Sequence, residues 1–528
     1  MTTRKFEKEL EKLGAFEISS NMLKLAKNNE KHNTFLNAGR GNPNWINTQG
    51  RLAFARIVEF GIIESRRTMD KGNLAGYTEL NKISERFDIF LDGTHEIDEF
   101  IRSAINYCVD ALGMNRDELV KELVDGAIGN NYPIPSRCLV NTEKILNIYL
   151  EKQLYNGVKL SDKTSVFPTE GGTAAICYIF NSLKENGLIK PGDKIAINTP
   201  IFTPYLQIPE LQDYEMIEID LRSKEENNWI IDLEELEKLH DKDIKALFFV
   251  NPSNPGSKAL DKQALDEISK VVKERKDLII ITDDVYGTFV DKFQSVYSVA
   301  PYNTLLVYSF SKLYGATGWR LGLIATNEDN IFDELISKLP EEKQKDLDKR
   351  YGLVTLEPRK MKFIDRLVAD SRLVGLYHTS GLSTPQQIQM ALFALSSIIV
   401  GEKDAYIESC RELVSKRYSD LFTTLALKED NSKENAKYYS LIDIYKLAST
   451  VYDDNFAKYL EDNFEPIDFL LNLAKKNGVV LMEGVGFGTK PGVLRVSEAN
   501  LPTEAYSKIA KQILELLAEY HGEYKNQK

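Results

Sequence analysis

One lysine stands at the centre of Val307–Gly322 (VYSFSKLYGATGWRLG), a segment whose residue types suit chemistry on an aldehyde cofactor. Ser309 lies three positions before Lys312, and Arg320 lies eight positions after it. A lysine amine can form a Schiff base with an aldehyde, while a serine hydroxyl and a fixed guanidinium can hold a phosphate. The spacing therefore indicates a site for pyridoxal phosphate. Taken alone, it also fits a solvated lysine and arginine that flank a turn.

The chain around this segment alternates short apolar runs with helical patterns, which is typical of a doubly wound α/β sheet with mostly parallel strands. In open α/β sheets, ligands bind beyond the carboxyl ends of the strands. The residues that follow the apolar runs are therefore the candidates for a site. The runs predicted as strands are Lys194–Asn198, Ala246–Val250, Leu278–Thr282, Leu305–Ser309 and Leu321–Ala325.

A pair of glycines, Gly171 and Gly172, precedes Thr173 and a helical pattern. Glycines before a helix N-terminus can form a phosphate cradle, because backbone N–H groups and the helix dipole both favour an anion. By itself such a pair is more often a plain turn. The segment is therefore a candidate only in combination with the lysine and arginine described above.

Two further strand ends carry weaker candidates. Phe202 stands between two prolines after the first predicted strand, where rigid backbone can hold an aromatic ring against a flat cofactor. Asn254 lies in the turn-rich Asn251–Gly256 after the second strand. Either segment, read alone, is also compatible with an ordinary loop.

A carboxylate and a phenol, Asp283 and Tyr286, follow the strand predicted at Leu278–Thr282. A carboxylate beside a pyridine nitrogen keeps that nitrogen protonated, since an opposite charge within about 4–6 Å shifts a pKa by ~1–3 units toward the ionised pair. A phenol three positions later can contact the ring hydroxyl. These two residues therefore meet the needs of the ring of pyridoxal phosphate.

In order and spacing, these elements resemble the fold-type I pyridoxal phosphate enzymes, the aspartate aminotransferase superfamily, over roughly residues 125 to 500. The resemblance implies an α/β fold with a large domain, whose mostly parallel seven-stranded-type sheet is flanked by helices, and a smaller α+β domain. It implies that Lys312 is the Schiff-base lysine and that Asp283 pairs with the pyridinium nitrogen. The other implied cofactor contacts are Asn254 and Tyr286 at the ring hydroxyl, Phe202 on the ring face, and Gly171, Gly172, Thr173, Ser309 and Arg320 at the phosphate.

The same resemblance covers two segments outside the central strands. Tyr132 resembles the tyrosine that reaches the phosphate of the neighbouring subunit, which implies a homodimer or a higher symmetric homo-oligomer. Arg495 resembles the arginine that binds the α-carboxylate of the substrate, a bidentate role that suits a guanidinium, and Asn254 is implied beside it. The family's usual Asn-Pro-Thr-Gly is Asn254-Pro255-Gly256 here, without the threonine.

Two segments point beyond a general aminotransferase. Asn37–Trp45, with Arg40 between two glycines, and His378–Gln387 resemble the aspartate 4-decarboxylases. These carbon–carbon lyases form L-alanine and CO2 from L-aspartate and retain aspartate aminotransferase activity. The resemblance implies the same reactions here, with Arg40 toward the substrate β-carboxylate and with 2-oxo acids as further ligands. The alternatives are a surface salt bridge for Arg40 and a plain aspartate or alanine-type aminotransferase.

Composition restricts the class of protein. The 528 residues are 43% hydrophobic and 28% charged, which is ordinary for a globular chain with more than one domain. A net charge of −12 without clustered Lys and Arg argues against nucleic acid as a partner. The first residues lack an apolar secretion signal, and no apolar run reaches eighteen residues, so we expect a cytoplasmic protein with no membrane partner.

The four cysteines are widely spaced and have no histidine at metal-ligand spacing, which predicts buried free thiols and no metal site. The expected domains are a helical N-terminal extension with part of the small domain (1–130), a cofactor-binding large domain with a charged insertion at about 341–372 (131–395), and the rest of the small domain (396–528).

Two non-enzymatic interpretations compete with catalysis. A regulatory protein built on a degenerate aminotransferase domain would carry a basic DNA-recognition helix, which the acidic N-terminal region lacks. A structural protein would leave the residues at the strand ends unexplained. The full set of lysine, aspartate and arginine favours an enzyme.

Overall fold

The computed structural model describes residues 15–29, 35–69, 76–401 and 403–527. The strands within these ranges are β1 (Leu36–Asn37), β2 (Thr164–Thr169), β3 (Lys194–Thr199), β4 (Ile217–Arg222), β5 (Ile244–Val250), β6 (Ile279–Asp283), β7 (Thr304–Ser309), β8 (Gly322–Asn327), β9 (Tyr439–Asp443), β10 (Val479–Val480), β11 (Met482–Glu483) and β12 (Val493–Ser497). The α-helices are Ala15–Lys27, Thr48–Arg67, Ile83–Phe90, Ile97–Asp110, Arg116–Ile128, Val140–Leu154, Gly172–Glu185, Thr203–Leu206, Leu233–Glu237, Lys262–Glu274, Val296–Val299, Ile331–Ser337, Glu341–Tyr351, Phe363–Ser371, Thr384–Ile398, Ala405–Thr424, Ile444–Val451, Asp454–Asn463, Pro466–Asn477 and Glu504–Gln527.

A seven-stranded sheet in the order β2-β8-β7-β6-β5-β3-β4 forms the centre of the molecule. All neighbouring pairs are parallel except those of β8, which runs antiparallel to both β2 and β7. Its inner strands are buried along their whole length, as expected for near-continuous apolar runs covered by helices on both faces. The carboxyl ends of β5, β6 and β7 therefore meet at one edge of the sheet.

The five predicted strands are all present, with ends that differ by one or two residues, and the two edge strands β2 and β4 were missed. β4 has mixed burial because it pairs only with β3, so its apolar pattern is broken. β2 contains Pro168, which favours a turn in the sequence but is tolerated in an edge strand that has a partner on one side only. Exposure therefore weakens the sequence signal of β4, whereas β2 is buried and was missed because of its proline.

The C-terminal part of the chain forms a second unit. β11, β12 and β9 make an antiparallel sheet, and β1 pairs in parallel with β10, which joins the two ends of the chain. A separate apolar core contains residues from Ile18 to Ala38 and from Tyr418 to Tyr524. The N-terminal helices from Thr48 to Ile128 belong instead to the core around the large sheet and pack on Thr384–Ile398. The domain boundaries stay a prediction.

The charged insertion at 341–372 is mostly helical. Phe363–Ser371 packs against Gly172–Glu185, the helix whose N-terminus follows the glycine pair. Asp370 fastens this contact, since its carboxylate accepts hydrogen bonds from Ser182, 2.6 Å away, and from Tyr351. The insertion therefore supports a helix that takes part in the site.

Two expectations about composition can be compared with the structure. Cys108, Cys138 and Cys410 are buried and free as predicted, but Cys177 is exposed, so the prediction of a buried thiol was wrong there. It lies on a solvent-facing position of Gly172–Glu185. In the described ranges, every helix is too short or too polar to cross a membrane.

Candidate active site

A cavity of about 250 Å³ lies at the carboxyl ends of β5, β6 and β7. Ten of the residues predicted from the sequence line it: Gly172, Thr173, Phe202, Asn254, Asp283, Tyr286, Ser309, Lys312, Arg320 and Arg495. The cavity is also lined by Gly41, Tyr205, Val250, Val285, Ser311, Thr317 and Tyr439, for which the sequence suggested no role.

Lys312 follows β7 and is half-buried. Its Nζ donates a hydrogen bond to the backbone oxygen of Gly41, 3.1 Å away. The same oxygen accepts a hydrogen bond from the hydroxyl of Tyr438 at 2.9 Å. The lysine amine is therefore held at the cavity wall by the N-terminal segment that carries Arg40.

Asp283 ends β6 and is 5% exposed. Its carboxylate accepts hydrogen bonds from the hydroxyl of Tyr205 at 2.9 Å and from the backbone N–H of Val285 at 3.3 Å. Burial raises the pKa of this carboxyl to about 6, against the lowering effect of those hydrogen bonds and of Lys312. It forms no ion pair within the part of the chain that the structure describes, so its charge is available to a bound cation.

The predicted phosphate cradle is closely packed. Gly171 has φ 94° and precedes the N-terminus of Gly172–Glu185, and a Cβ there would lie 2.3 Å from Nη2 of Arg320. Arg320 itself adopts φ 57° and donates to the backbone oxygens of Glu170 and Thr317 at 3.2 and 3.0 Å. The hydroxyl of Ser309 bonds to that of Ser311 at 2.9 Å. A helix N-terminus, a guanidinium and two hydroxyls thus converge on one end of the cavity.

Arg495 lies on β12 and is 2% exposed. Its guanidinium donates to Asn254 Oδ1 at 3.0 Å and to the backbone oxygen of Gly39 at 2.6 Å, while its buried Nε has no hydrogen-bond partner among the described residues. Burial lowers the pKa of this arginine. A buried guanidinium without a carboxylate partner is a site for an anionic ligand.

Asn254 stands between two other site residues. Its side-chain nitrogen Nδ2 donates a hydrogen bond to the hydroxyl of Tyr286, 3.5 Å away. The hydroxyl of Tyr286 also lies 3.0 Å from that of Tyr439. Phe202 is half-buried on another wall, where it packs against Met482 and Phe487. The absence of the family's threonine after Pro255 has not moved Asn254 away from the cavity.

Three predicted residues, Gly171, Arg40 and Tyr132, do not line the cavity, and Gly171 lies instead beside the guanidinium of Arg320. Arg40 is exposed and forms no hydrogen bond or ion pair with any described residue, although its neighbours Gly39 and Gly41 contact Arg495 and Lys312. Tyr132 is 64% exposed, beside an exposed Ile134. The predicted role of Arg40 concerns the substrate, and that of Tyr132 concerns a second subunit. Both roles stay predictions.

The missed residues differ in how well the sequence signals them. Tyr205 closes the turn after β3, in the same segment as Phe202, so its place at a strand end was readable. Tyr439 begins β9, about 120 positions beyond Lys312, in a region whose sequence has no motif. Only the fold brings it to the cavity.

Residues 141–513 match the family model described as aminotransferase class I and II. The chain belongs to this family. It is 42% identical to a Pseudomonas protein named bifunctional aspartate aminotransferase and L-aspartate beta-decarboxylase. The alignment covers 98% of this chain and 98% of that protein. An aspartate aminotransferase of Pyrococcus abyssi is 34% identical over 39% of this chain and 52% of its own.

Solved structures of aminotransferases share the fold. A double mutant of Thermus thermophilus aspartate aminotransferase has a TM-score of 0.61 at 16% identity, over 95% of this chain and 96% of that one. An aromatic aminotransferase of Pyrococcus horikoshii has a TM-score of 0.57 at 19% identity, over 95% and 99% of the two chains. The predicted fold class is confirmed. Class I and II aminotransferases are enzymes that depend on pyridoxal phosphate. The predicted cofactor and the prediction that this chain is an enzyme are therefore confirmed.

The cavity of this aminotransferase fits that cofactor. Asp283, buried and without an ion-pair partner among the described residues, suits a ring nitrogen that carries a proton. Gly172, Thr173, Ser309 and Arg320 line the cavity together and suit a phosphate. Lys312 would hold the aldehyde carbon, Asp283 the ring nitrogen, and Ser309, Arg320 and the helix N-terminus the phosphate.

Asp283→Asn should change the pH dependence of folding in the cofactor-free enzyme. The raised pKa of Asp283 stabilises the fold below pH 4, and this contribution, about 3 kcal/mol, is lost as the pH rises through 6. Asparagine has no charge to bury, so the stability of the variant should not fall over this pH range. Urea unfolding of both proteins at pH 4.5 and 8 should show about 2 kcal/mol of this loss in the wild type, because the rest is already lost at pH 4.5. Asp346→Asn, at an exposed position, is the control, and equal pH dependence of all three proteins would contradict the prediction.

Proposed function

We propose that this chain converts L-aspartate to L-alanine and CO2 by β-decarboxylation and has aspartate aminotransferase as a second activity. The carrying observation is the 42% identity over 98% of both chains to a protein named for these two activities. That similarity includes Asn37–Trp45, which lies outside the residues matched by the family model. The carbonyls of Gly39 and Gly41 in this segment accept hydrogen bonds from Arg495 and Lys312.

Lys312 is the group that moves protons in this proposal. When bound, pyridoxal phosphate supplies an electron sink for the pair of electrons released at the substrate carbon. The amine of Lys312 takes the proton from the substrate Cα and returns a proton later in the cycle. Its hydrogen bond to the oxygen of Gly41 holds Nζ at the cavity wall, half-buried.

Asp283 holds the proton on the ring nitrogen. Its burial at the end of β6 removes competing water, and the hydroxyl of Tyr205 fixes Oδ2 at 2.9 Å. A carboxylate of raised pKa shares a proton readily with a pyridine nitrogen, because the two affinities are closer than in water. Asn254 and Tyr286 donate to the ring oxygen, and Phe202 covers one face of the ring.

The two arginines separate the two carboxylates of the substrate. Arg495, buried and with an unpaired Nε, binds the α-carboxylate that both reactions require. Arg40 orients the β-carboxylate only loosely. A tight ion pair, worth roughly 1.5–3 kcal/mol as a charged hydrogen bond, would stabilise the carboxylate that has to leave as CO2. The exposure of Arg40 and its freedom from described partners support a weak contact.

The products formed from L-aspartate test the proposal directly. Purified enzyme is incubated with L-aspartate and added pyridoxal phosphate, with and without a 2-oxo acid, and alanine, CO2 and oxaloacetate are quantified. Alanine and CO2 in equal amounts are expected as the main products. Oxaloacetate formed only with the 2-oxo acid, without CO2 from the enzyme, would identify a plain aminotransferase instead.

Arg40→Ala should change the ratio of alanine to oxaloacetate while the absorbance of the bound cofactor stays as in the wild type. The reason is that Arg40 is assigned to the substrate and not to the cofactor. We expect a several-fold change in the ratio, as for a weak charged contact of about 1 kcal/mol. Arg66→Ala, in the last turn of Thr48–Arg67 and remote from this loop, is the control. Arg51→Ala would not serve, because Arg51 donates a hydrogen bond to the backbone oxygen of Gly315. Unchanged rates and ratio would make Asn37–Trp45 a structural segment.

We also propose that the enzyme works as a homodimer or a larger symmetric oligomer in which Tyr132 reaches the phosphate of the neighbouring subunit. The exposure of Tyr132, 64%, and of Ile134, 81%, supports an interface there. An interface between symmetric copies would bury these two exposed apolar side chains.

A further inference from the structure

Tyr439 connects two parts of the cavity that have separate roles in the proposed function. Its hydroxyl lies 3.0 Å from the hydroxyl of Tyr286, and its ring centre lies 4.4 Å from Cζ of Arg495. The side chain is 3% exposed, so water does not compete for this hydrogen bond. One residue therefore touches both the proposed partner of the cofactor ring and the proposed partner of the substrate.

Strand pairing explains how Tyr439 comes to lie under Arg495. β9 and β12 are antiparallel, with Tyr439 opposite Ser497 and Leu441 opposite Arg495. Tyr439 and Arg495 are thus diagonal neighbours on one face of the sheet, within reach of an aromatic ring and a long side chain. The next residue along each of these strands faces the opposite side of the sheet.

The hydroxyl of Tyr439 is confined on its remaining sides. A Cβ at Gly41 would lie 2.0 Å from it, so only glycine fits beside it in this loop. The backbone N–H of Tyr439 is held by Ser257 Oγ at 2.7 Å. Gly41, whose carbonyl accepts from Lys312, therefore packs against this phenol.

We propose that Tyr439 is a positioning residue that donates its hydroxyl hydrogen to Tyr286 and thereby directs the hydrogen of Tyr286 to the ring oxygen of the cofactor. The inference rests on the role of Tyr286 in the proposed function. A hydroxyl has one hydrogen, so Tyr286 can donate to one acceptor only. Its oxygen lies 3.5 Å from Asn254 Nδ2 and 3.0 Å from the hydroxyl of Tyr439, and with Tyr439 as the donor of that pair the hydrogen of Tyr286 is left for the cofactor.

The consequence is a measurable change in acidity at the cofactor. A donor to the ring oxygen stabilises its deprotonated form, and a chain of hydrogen bonds strengthens each member. Removing the hydroxyl of Tyr439 weakens the donation by Tyr286. The pH midpoint of the absorbance change of the bound cofactor should then rise.

The test compares Tyr439→Phe, Tyr286→Phe and the double variant in the cofactor-loaded enzyme. Tyr439→Phe keeps the ring under Arg495, so we expect the midpoint to rise by about half a pH unit while KM for L-aspartate changes less than about twofold. Tyr286→Phe should raise the midpoint further, and the double variant should equal Tyr286→Phe, because the outer donor acts only through the inner one.

Tyr149→Phe is the matched control. Tyr149 and Tyr308 form another fully buried pair of hydroxyls, 2.8 Å apart, whose residues do not line the cavity. The pH midpoint of the cofactor absorbance change in Tyr149→Phe should equal that of the wild type.

The outcomes separate this inference from the proposed function. A shift for Tyr286→Phe without one for Tyr439→Phe would overturn the inference alone. A midpoint unchanged in Tyr286→Phe would overturn the role assigned to Tyr286 and the inference with it. A rise in both single variants that is not additive in the double variant supports the chain of donors.

Discussion

Lys312→Ala should abolish the absorbance of the lysine-bound cofactor and lower turnover by about four orders of magnitude or more, because the variant loses both the covalent anchor and the proton-transferring amine. Borohydride reduction of the wild-type enzyme followed by peptide mapping should place the cofactor label on Lys312. Absorbance spectra and both product assays measure the two losses separately.

Lys258 provides the control for that experiment. It is the rival buried amine, with a side chain 3% exposed and a pKa that burial lowers to about 8. Lys258→Arg keeps the positive charge beside Asp430 but cannot form a Schiff base. This variant should retain the absorbance and the activity. A label found on Lys258 would show that the interpretation of Val307–Gly322 is wrong.

Arg495→Ala should lower kcat/KM for L-aspartate by about a hundredfold to several thousandfold in both reactions, and by the same factor in each. A buried carboxylate that loses its charged partner costs about 3–5 kcal/mol, and the α-carboxylate is present in decarboxylation and in transamination alike. The absorbance of the bound cofactor should be unaffected. Steady-state kinetics of both reactions with the same enzyme sample measure the effect.

Arg495→Lys distinguishes charge from geometry. Lysine keeps the charge but lacks the planar fork that donates to Asn254 and to the oxygen of Gly39, so the loss should be intermediate. A change in the ratio of alanine to oxaloacetate with little loss of rate would assign Arg495 to the β-carboxylate. The roles of Arg495 and Arg40 would then have to be exchanged.

The sequence alone was sufficient for the class of fold and for most of the residues that line the candidate cavity. Asp283 and Ser309 end two buried apolar strands, and Lys312 lies three residues beyond the second of these, while the ends of parallel strands meet at one edge of a sheet. Local order along the chain thus predicts which of these side chains come together. The edge strands were missed for different reasons: β4 is largely exposed and has no continuous apolar pattern, whereas β2 is buried but contains Pro168, which favours a turn.

Only the tertiary structure decided how the ends of the chain complete the cavity. Tyr439 and the carbonyls of Gly39 and Gly41 reach Tyr286, Arg495 and Lys312 through the pairing of β9 with β12 and of β1 with β10. Contacts between residues hundreds of positions apart depend on strand register and on packing between the two cores. A short motif records the chemistry of a side chain, but it does not record which distant backbone carbonyl or hydroxyl the fold brings beside it.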